Sequence, residues 1–110
     1  MSIEDTDKVD FVTIEYATGN VRLTIFDHLD WQQDEGGHLL LLQEKINTYL
    51  QFVESGEMHS TLPATVGRNV IIGVDAKYPL TGEATVFFRK ARPIVEGVGL
   101  SLEFGLLNDE

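Results

Sequence analysis

The 110-residue sequence has no cysteine, which excludes disulfides, zinc–thiolate centres and cysteine nucleophiles together. It is also poor in positive charge: eight Lys and Arg face eighteen Asp and Glu, a formal net charge of −10. Such a surface repels polyanions, so nucleic acid and anionic membranes are poor partners. A basic protein, or a second copy held by apolar contacts, is compatible with it. Long apolar runs are missing as well, and none approaches the roughly 20 residues that cross a bilayer. The leading "MSIEDTDKVD" is acidic and polar, unlike the basic and then apolar start of a secretory signal. A cytoplasmic location is therefore expected. Apolar residues nevertheless make up 43% of the chain, near the globular average, and the length suits a single domain.

Residues 1–8 read as a polar lead-in and 108–110 as a polar tail. Between them the hydrophobic period changes several times. In "DFVTIEY" Val12, Ile14 and Tyr16 point one way, and in "VRLTIF" Val21, Leu23 and Ile25 do the same. Two alternating runs around the turn-forming "ATGN" predict a β-hairpin. From about His38 to Glu54 the period becomes helical, with Leu39, Leu42, Ile46, Tyr49, Leu50 and Val53 on one stripe. Gly56 is its expected terminator, and "MHSTLPATVGR" reads as a loop. "NVIIGVDAKY" then predicts a strand with Val70, Ile72, Val74, Ala76 and Tyr78 on one face. A second helix follows, capped by Thr81, with Ala84, Phe87, Phe88, Ala91 and Val95 inward. Pro93 removes a backbone donor and crowds the Arg89 carbonyl, predicting a kink or an early end there. In "LSLEFGLL", Leu100, Leu102, Phe104 and Leu106 are expected inward. The order β-β-α-β-α-β implies an α+β two-layer sandwich: a four-stranded mixed sheet with two helices on one face. If the last two strands are neighbours, the second helix is a crossover between parallel strands. Strand order does not follow from the pattern.

Chemistry concentrates in "HLDWQQDEGGH", residues 28–38. His28, Asp30, Asp34 and His38, together with Asp27, supply nitrogen and oxygen ligands of the kind that suit zinc, manganese or iron. Two histidines ten residues apart across a glycine-containing loop, however, match no established ligand spacing. The structural reading is stronger: Asp34 or Glu35 caps the helix, Asp27 ends a strand, and Trp31 covers the edge of the core. Ser55, His59 and Ser60 are close only along the chain, which makes no triad. Arg89, Lys90 and Arg92 form the sole basic run. They suit a solvated helix face or, more sharply, a salt-bridge patch for an acidic copy of the same chain. Phe11, Phe26, Ile71 and Leu107 are expected on the sheet face opposite the helices, with Leu41 and Phe52 beside the first helix's stripe. These six are the candidate interaction residues.

At "DHLDW", followed by "HLLLLQEKIN", the sequence resembles a family of small bacterial proteins, the domain of unknown function 6572. The likeness runs from "IEDTDKVD" through the hairpin to the loop after the first helix, and more loosely through "KYP" to the final helix and strand. That family carries no assigned activity, so the resemblance implies no site residues and no cofactor. It implies a bacterial, cytosolic, stand-alone protein.

Three functions are thus expected to compete. The leading one is a non-enzymatic interaction module, self-associating or bound to a protein partner, with no cofactor. One version is an acidic immunity-type protein that neutralises a basic toxin. The second function is a metal-binding protein or metal-dependent enzyme built on His28 and His38. The third is a small-ligand pocket between Trp31, Tyr49 and the sheet.

Overall fold

A computed structural model describes residues 3–107, so the tail at 108–110 lies outside the described residues. The elements are β1 (Phe11–Ile14), β2 (Val21–Asp27), α1 (Glu35–Glu54), α2 (Glu57–Thr61), β3 (Val70–Ala76), α3 (Gly82–Gly97) and β4 (Ser101–Leu106). They form an α+β fold with one four-stranded mixed sheet in the order β1-β2-β3-β4. β1 pairs antiparallel with β2, as the hairpin reading requires, while β2–β3 and β3–β4 are parallel. Each parallel step is bridged by a helix, α1 and then α3. Because both steps run in the same direction across the sheet, two right-handed crossovers put both helices on one face.

The register shows what fills that face. Val12, Leu23, Ile72 and Leu102 form one row across the four strands, and Ile25, Val74 and Phe104 the next. Leu42, Ile46, Tyr49 and Leu50 from α1 and Ala84, Phe88 and Val95 from α3 close over them in one core. Among the described residues no helix is long and apolar enough to cross a membrane.

The caps explain where the helices start and stop. Asp34 accepts the Gly37 amide at the head of α1, and Thr81 accepts that of Ala84 at the head of α3. α1 opens three residues earlier than the period alone suggests, and so takes Gly36 and Gly37 into its first turn. At Gly37 a Cβ would lie 2.3 Å from Asp34 Oδ2, so a larger residue there would make the capping carboxylate turn. α3 ends in a Schellman motif: Gly99, at φ 87°, donates to Glu96 O and Leu100 donates to Val95 O.

Several expectations change. α3 runs through Pro93 to Gly97 without ending early. Arg89 and Pro93 are both exposed, so the carbonyl that loses its donor is on the wet side of the helix, while Val95, 1% exposed, holds the next turn in the core. The expected loop at 58–68 contains α2, anchored by the fully buried Met58, and a 3₁₀ turn at Pro63–Thr65. β1 stops at Ile14, and Tyr16 is fully exposed, because Gly19 donates to Glu15 O and turns the chain out of the strand. Ile14 and Leu106, expected inward, are exposed on the two edge strands.

From residue 3 onward the lead-in packs against the fold. Ile3 is fully buried in the core. Lys45, with a fully buried side chain, donates to Asp5 O at 2.6 Å and Lys8 O at 2.8 Å and pairs with Asp10 Oδ2 at 2.8 Å. All three ammonium protons are thereby used. Thr48 donates to Thr6 O. Residues 3–10 form a strap tied along α1.

Candidate functional site

Asp27 is the next inward residue after Val21, Leu23 and Ile25, so its carboxylate turns toward the helices from the carboxyl end of β2. His38 reaches it from the first turns of α1. His38 Nε2 lies 2.8 and 2.6 Å from the two Asp27 oxygens, and both side chains are almost wholly buried. The Leu29 amide also donates to Asp27 Oδ1, at 3.1 Å. Trp31 stacks on the imidazole with ring centroids 3.6 Å apart and planes 19° from parallel. The ring is therefore fixed on one nitrogen and one face. Among the described residues its other nitrogen, Nδ1, is buried with no hydrogen-bond partner. Because a carboxylate accepts, Nε2 is the donor in this pair.

Beside this cluster a cleft of about 580 Å³ is lined by His28, Leu29, Asp30, Gln33, Asp34, Gly37, His38 and Leu41. Asp30 Oδ1 accepts from Gln32 N, and Asp34 Oδ1 from Gly37 N. His28 is half-exposed and lies 3.9 Å from Glu4. The four residues considered as metal ligands thus share a cleft. Among the described residues, though, no three His, Asp or Glu side chains are placed to hold an ion. Among the described residues Trp31 and Tyr49 line none of the concavities beside the sheet. Both are buried core residues, and the Tyr49 hydroxyl is occupied, donating to Thr24 O at 2.9 Å and accepting from Asp10 N at 3.2 Å. That burial pushes the Tyr49 phenol up to about 12, with the Asp10 charge adding to the rise.

A second concavity, of about 240 Å³, lies between α1 and α3. Ile46, Leu50, Phe87, Ala91 and Val95 form its apolar floor; Gln43, Asn47, Lys90 and Ile94 rim it. Ile94 is 65% exposed, and Val86 and Val98 are also exposed. With Lys90 these residues recur every four positions, making one ridge along α3. Among the described residues Arg89 and Lys90 form no ion pair, and neither do Glu44 and Glu54 on the exposed side of α1.

The six candidate interaction residues end up in different settings. Phe11 and Phe26 meet edge to face, 5.0 Å apart, on the helix-free side of the sheet. Ile71, on the same side, is only 9% exposed, and Leu107 is exposed. Leu41 and Phe52 are half-buried and pack against the core. Arg22 dominates the helix-free side. It hydrogen-bonds Glu103 at 2.8 Å and lies within 4 Å of Asp75 and Glu15. The Glu103 hydrogen bond, with the other carboxylates, holds its guanidinium above the usual arginine range despite partial burial. Ser55, His59 and Ser60 are exposed and form no catalytic arrangement.

Sequence reasoning missed the Asp27–His38 pair and the Ile94 ridge. The signal for the first was present: Asp27 continues the inward phase of β2, and His38 lies one turn before Leu42 on the inward stripe. For the second, Ile94 and Val98 fall outside the inward stripe of α3.

No curated protein and no solved structure matches the chain. The family model of a family of unknown function, DUF6572, matches residues 1–108. A signature spanning strap, hairpin, cleft and both long helices makes the chain a member of that family.

Proposed function

We propose that the protein is a self-associating interaction module whose helical layer is the contact surface. The observation that carries this reading is the adjacency of the Val86–Lys90–Ile94–Val98 ridge and the groove floored by Ile46, Leu50, Phe87, Ala91 and Val95. A ridge and a matching groove on the same surface are self-complementary. A two-fold axis lets the ridge of each copy fill the groove of the other. The rim charges agree: the unpaired Arg89 and Lys90 on α3 would face the unpaired Glu44 and Glu54 of a copy's α1. The helix-free face suits a copy less well, since Arg22 sits there among three carboxylates and the face stays net acidic.

Sedimentation velocity tests the reading. A dimer is expected, burying about 1,000 Å² or more in total. Ile94→Asp should give a monomer with an unchanged circular dichroism spectrum, because an exposed side chain contributes little to the protomer's core. A wild-type monomer at high micromolar concentration, or an Ile94→Asp protein that remains dimeric, refutes it.

A further inference from the structure

The free edge of the sheet at β1 has a binding geometry that contact through the helices does not use. Glu15 N donates to Asn20 O at 2.8 Å, and the register pairs Thr13 with Arg22 and Phe11 with Thr24. Backbone groups in an antiparallel pair alternate between the two sides of the strand. Phe11 and Thr13 therefore bond β2, while Val12 and Ile14 point their N–H and C=O groups away from it. β1 ends the sheet, so among the described residues no strand meets those groups. Natural edges are often blunted by Lys, Pro or a bulge, and Phe11–Ile14 has none of these. The opposite edge is partly covered, because Arg92 Nε donates to Leu102 O on β4. A trough runs beside β1 on the helix side. One concavity, of about 240 Å³, lies between Val12, Ile14 and residues 61–65. It shares Val12, Thr61 and Leu62 with a second, of about 580 Å³, that continues toward Phe52 and the strap. Ile14 and Leu62 are both exposed there. Asp7 and Glu57 line the wider part, and no Lys or Arg lines either. Among the described residues neither carboxylate forms an ion pair.

We propose that β1 takes an extended segment of a partner protein as a fifth strand, with apolar side chains at alternate positions in the trough and a Lys or Arg set against Asp7 and Glu57. Strand addition draws affinity from main-chain hydrogen bonds, here to Val12 and Ile14, and specificity from pockets for alternate side chains. Residues opposite each other in neighbouring strands share a face, so those paired with Val12 and Ile14 enter the trough. Charge decides between occupants. A second copy adding its own β1 carries the same formal −10 and would bring another Asp7 and Glu57 to the edge, where like charges oppose pairing. A strand with a basic flank meets no such repulsion.

The probe is a library of short random peptides displayed on phage and selected against the full chain; the most enriched sequence is then synthesised and titrated. It should alternate apolar residues and carry Lys or Arg at one end, and its binding should slow amide exchange at Val12 and Ile14. Ile14→Pro removes one outward N–H at an edge position where Pro is tolerated, and should weaken binding about tenfold. Leu62→Asp leaves β1 unaltered but puts a charge in the trough, and should weaken it at least about tenfold. Glu57→Lys should cost about fivefold. Glu96→Lys, the same change at the far end of α3, should cost nothing and so separates a site from general attraction. No enrichment, enrichment of acidic sequences, slowed exchange only in other elements, or equal weakening by Glu96→Lys overturns the proposal. So does a dimer of the free protein that Leu62→Asp dissociates, since the edge would then belong to a second copy. Repeating the titration on Ile94→Asp keeps this outcome separate from that of self-association through the helices.

Discussion

Replacing Lys45 by Met tests whether the strap is part of the fold. Met keeps the length and apolar stem of the side chain but removes the ammonium. Asp10, whose side chain is 8% exposed, then loses its salt-bridge partner, and the Lys8 carbonyl loses the Lys45 donor, while that of Asp5 keeps the Lys8 amide. Removing one member of a buried ion pair costs about 3–5 kcal/mol, because the other charge is stranded. A buried carbonyl left unsatisfied adds about 1–3 kcal/mol. The strap has an escape: it can peel away and return these groups to water. Peeling gives up the burial of Ile3, worth about 1.5–3 kcal/mol, and the Thr48–Thr6 hydrogen bond, worth about 0.5–1.5 kcal/mol. Peeling is the cheaper route and caps the loss, so about 2–5 kcal/mol is expected. Urea unfolding followed by circular dichroism measures the loss, and amide exchange separates the routes. Fast exchange confined to residues 3–10 shows peeling; slow exchange with a lower midpoint shows a stranded Asp10. A loss below about 1 kcal/mol, with unchanged exchange in the strap, refutes the view that Lys45 ties it down.

The remaining predictions concern single contacts. The folded-state pKa of Tyr49 is raised to about 12, against about 10 in an unfolded chain. Its contribution is therefore complete below about pH 10 and disappears as pH rises through about 12, at most about 2.7 kcal/mol over that window. Tyr49→Phe should flatten this alkaline loss in urea midpoints, at a cost of about 1–3 kcal/mol at neutral pH for the abandoned Asp10 amide and Thr24 carbonyl. Asp27→Ala leaves both nitrogens of a buried imidazole without partners and should destabilise by about 2–4 kcal/mol, whereas Asp27→Asn, which keeps an acceptor, should cost less than half as much. Both variants should alter the fluorescence of Trp31, the sole tryptophan, which is stacked on His38; an unchanged spectrum in Asp27→Ala would show that the pair does not hold the ring. Gly99→Ala forces a side chain into the left-handed region and should cost about 1–2 kcal/mol in thermal unfolding.

Periodicity in the sequence determined the class of the fold, because alternation and 3.6-residue spacing are local consequences of strand and helix geometry. Val21, Leu23 and Ile25, or Leu42, Ile46 and Tyr49, can be assigned a face without knowing what they touch. The Asp34 and Thr81 caps were legible for the same reason, since a cap serves amides only three residues away. Tertiary structure alone decided strand order, the passage of α3 through Pro93, and the partners of the inward polar residues. Lys45 and His38 share the inward phase of α1, yet phase does not reveal that one meets Asp10 from the strap and the other Asp27 from β2. Those contacts join residues 35 and 11 positions apart, and they form because a charge or an imidazole carried into the core must find a partner there or not be buried at all.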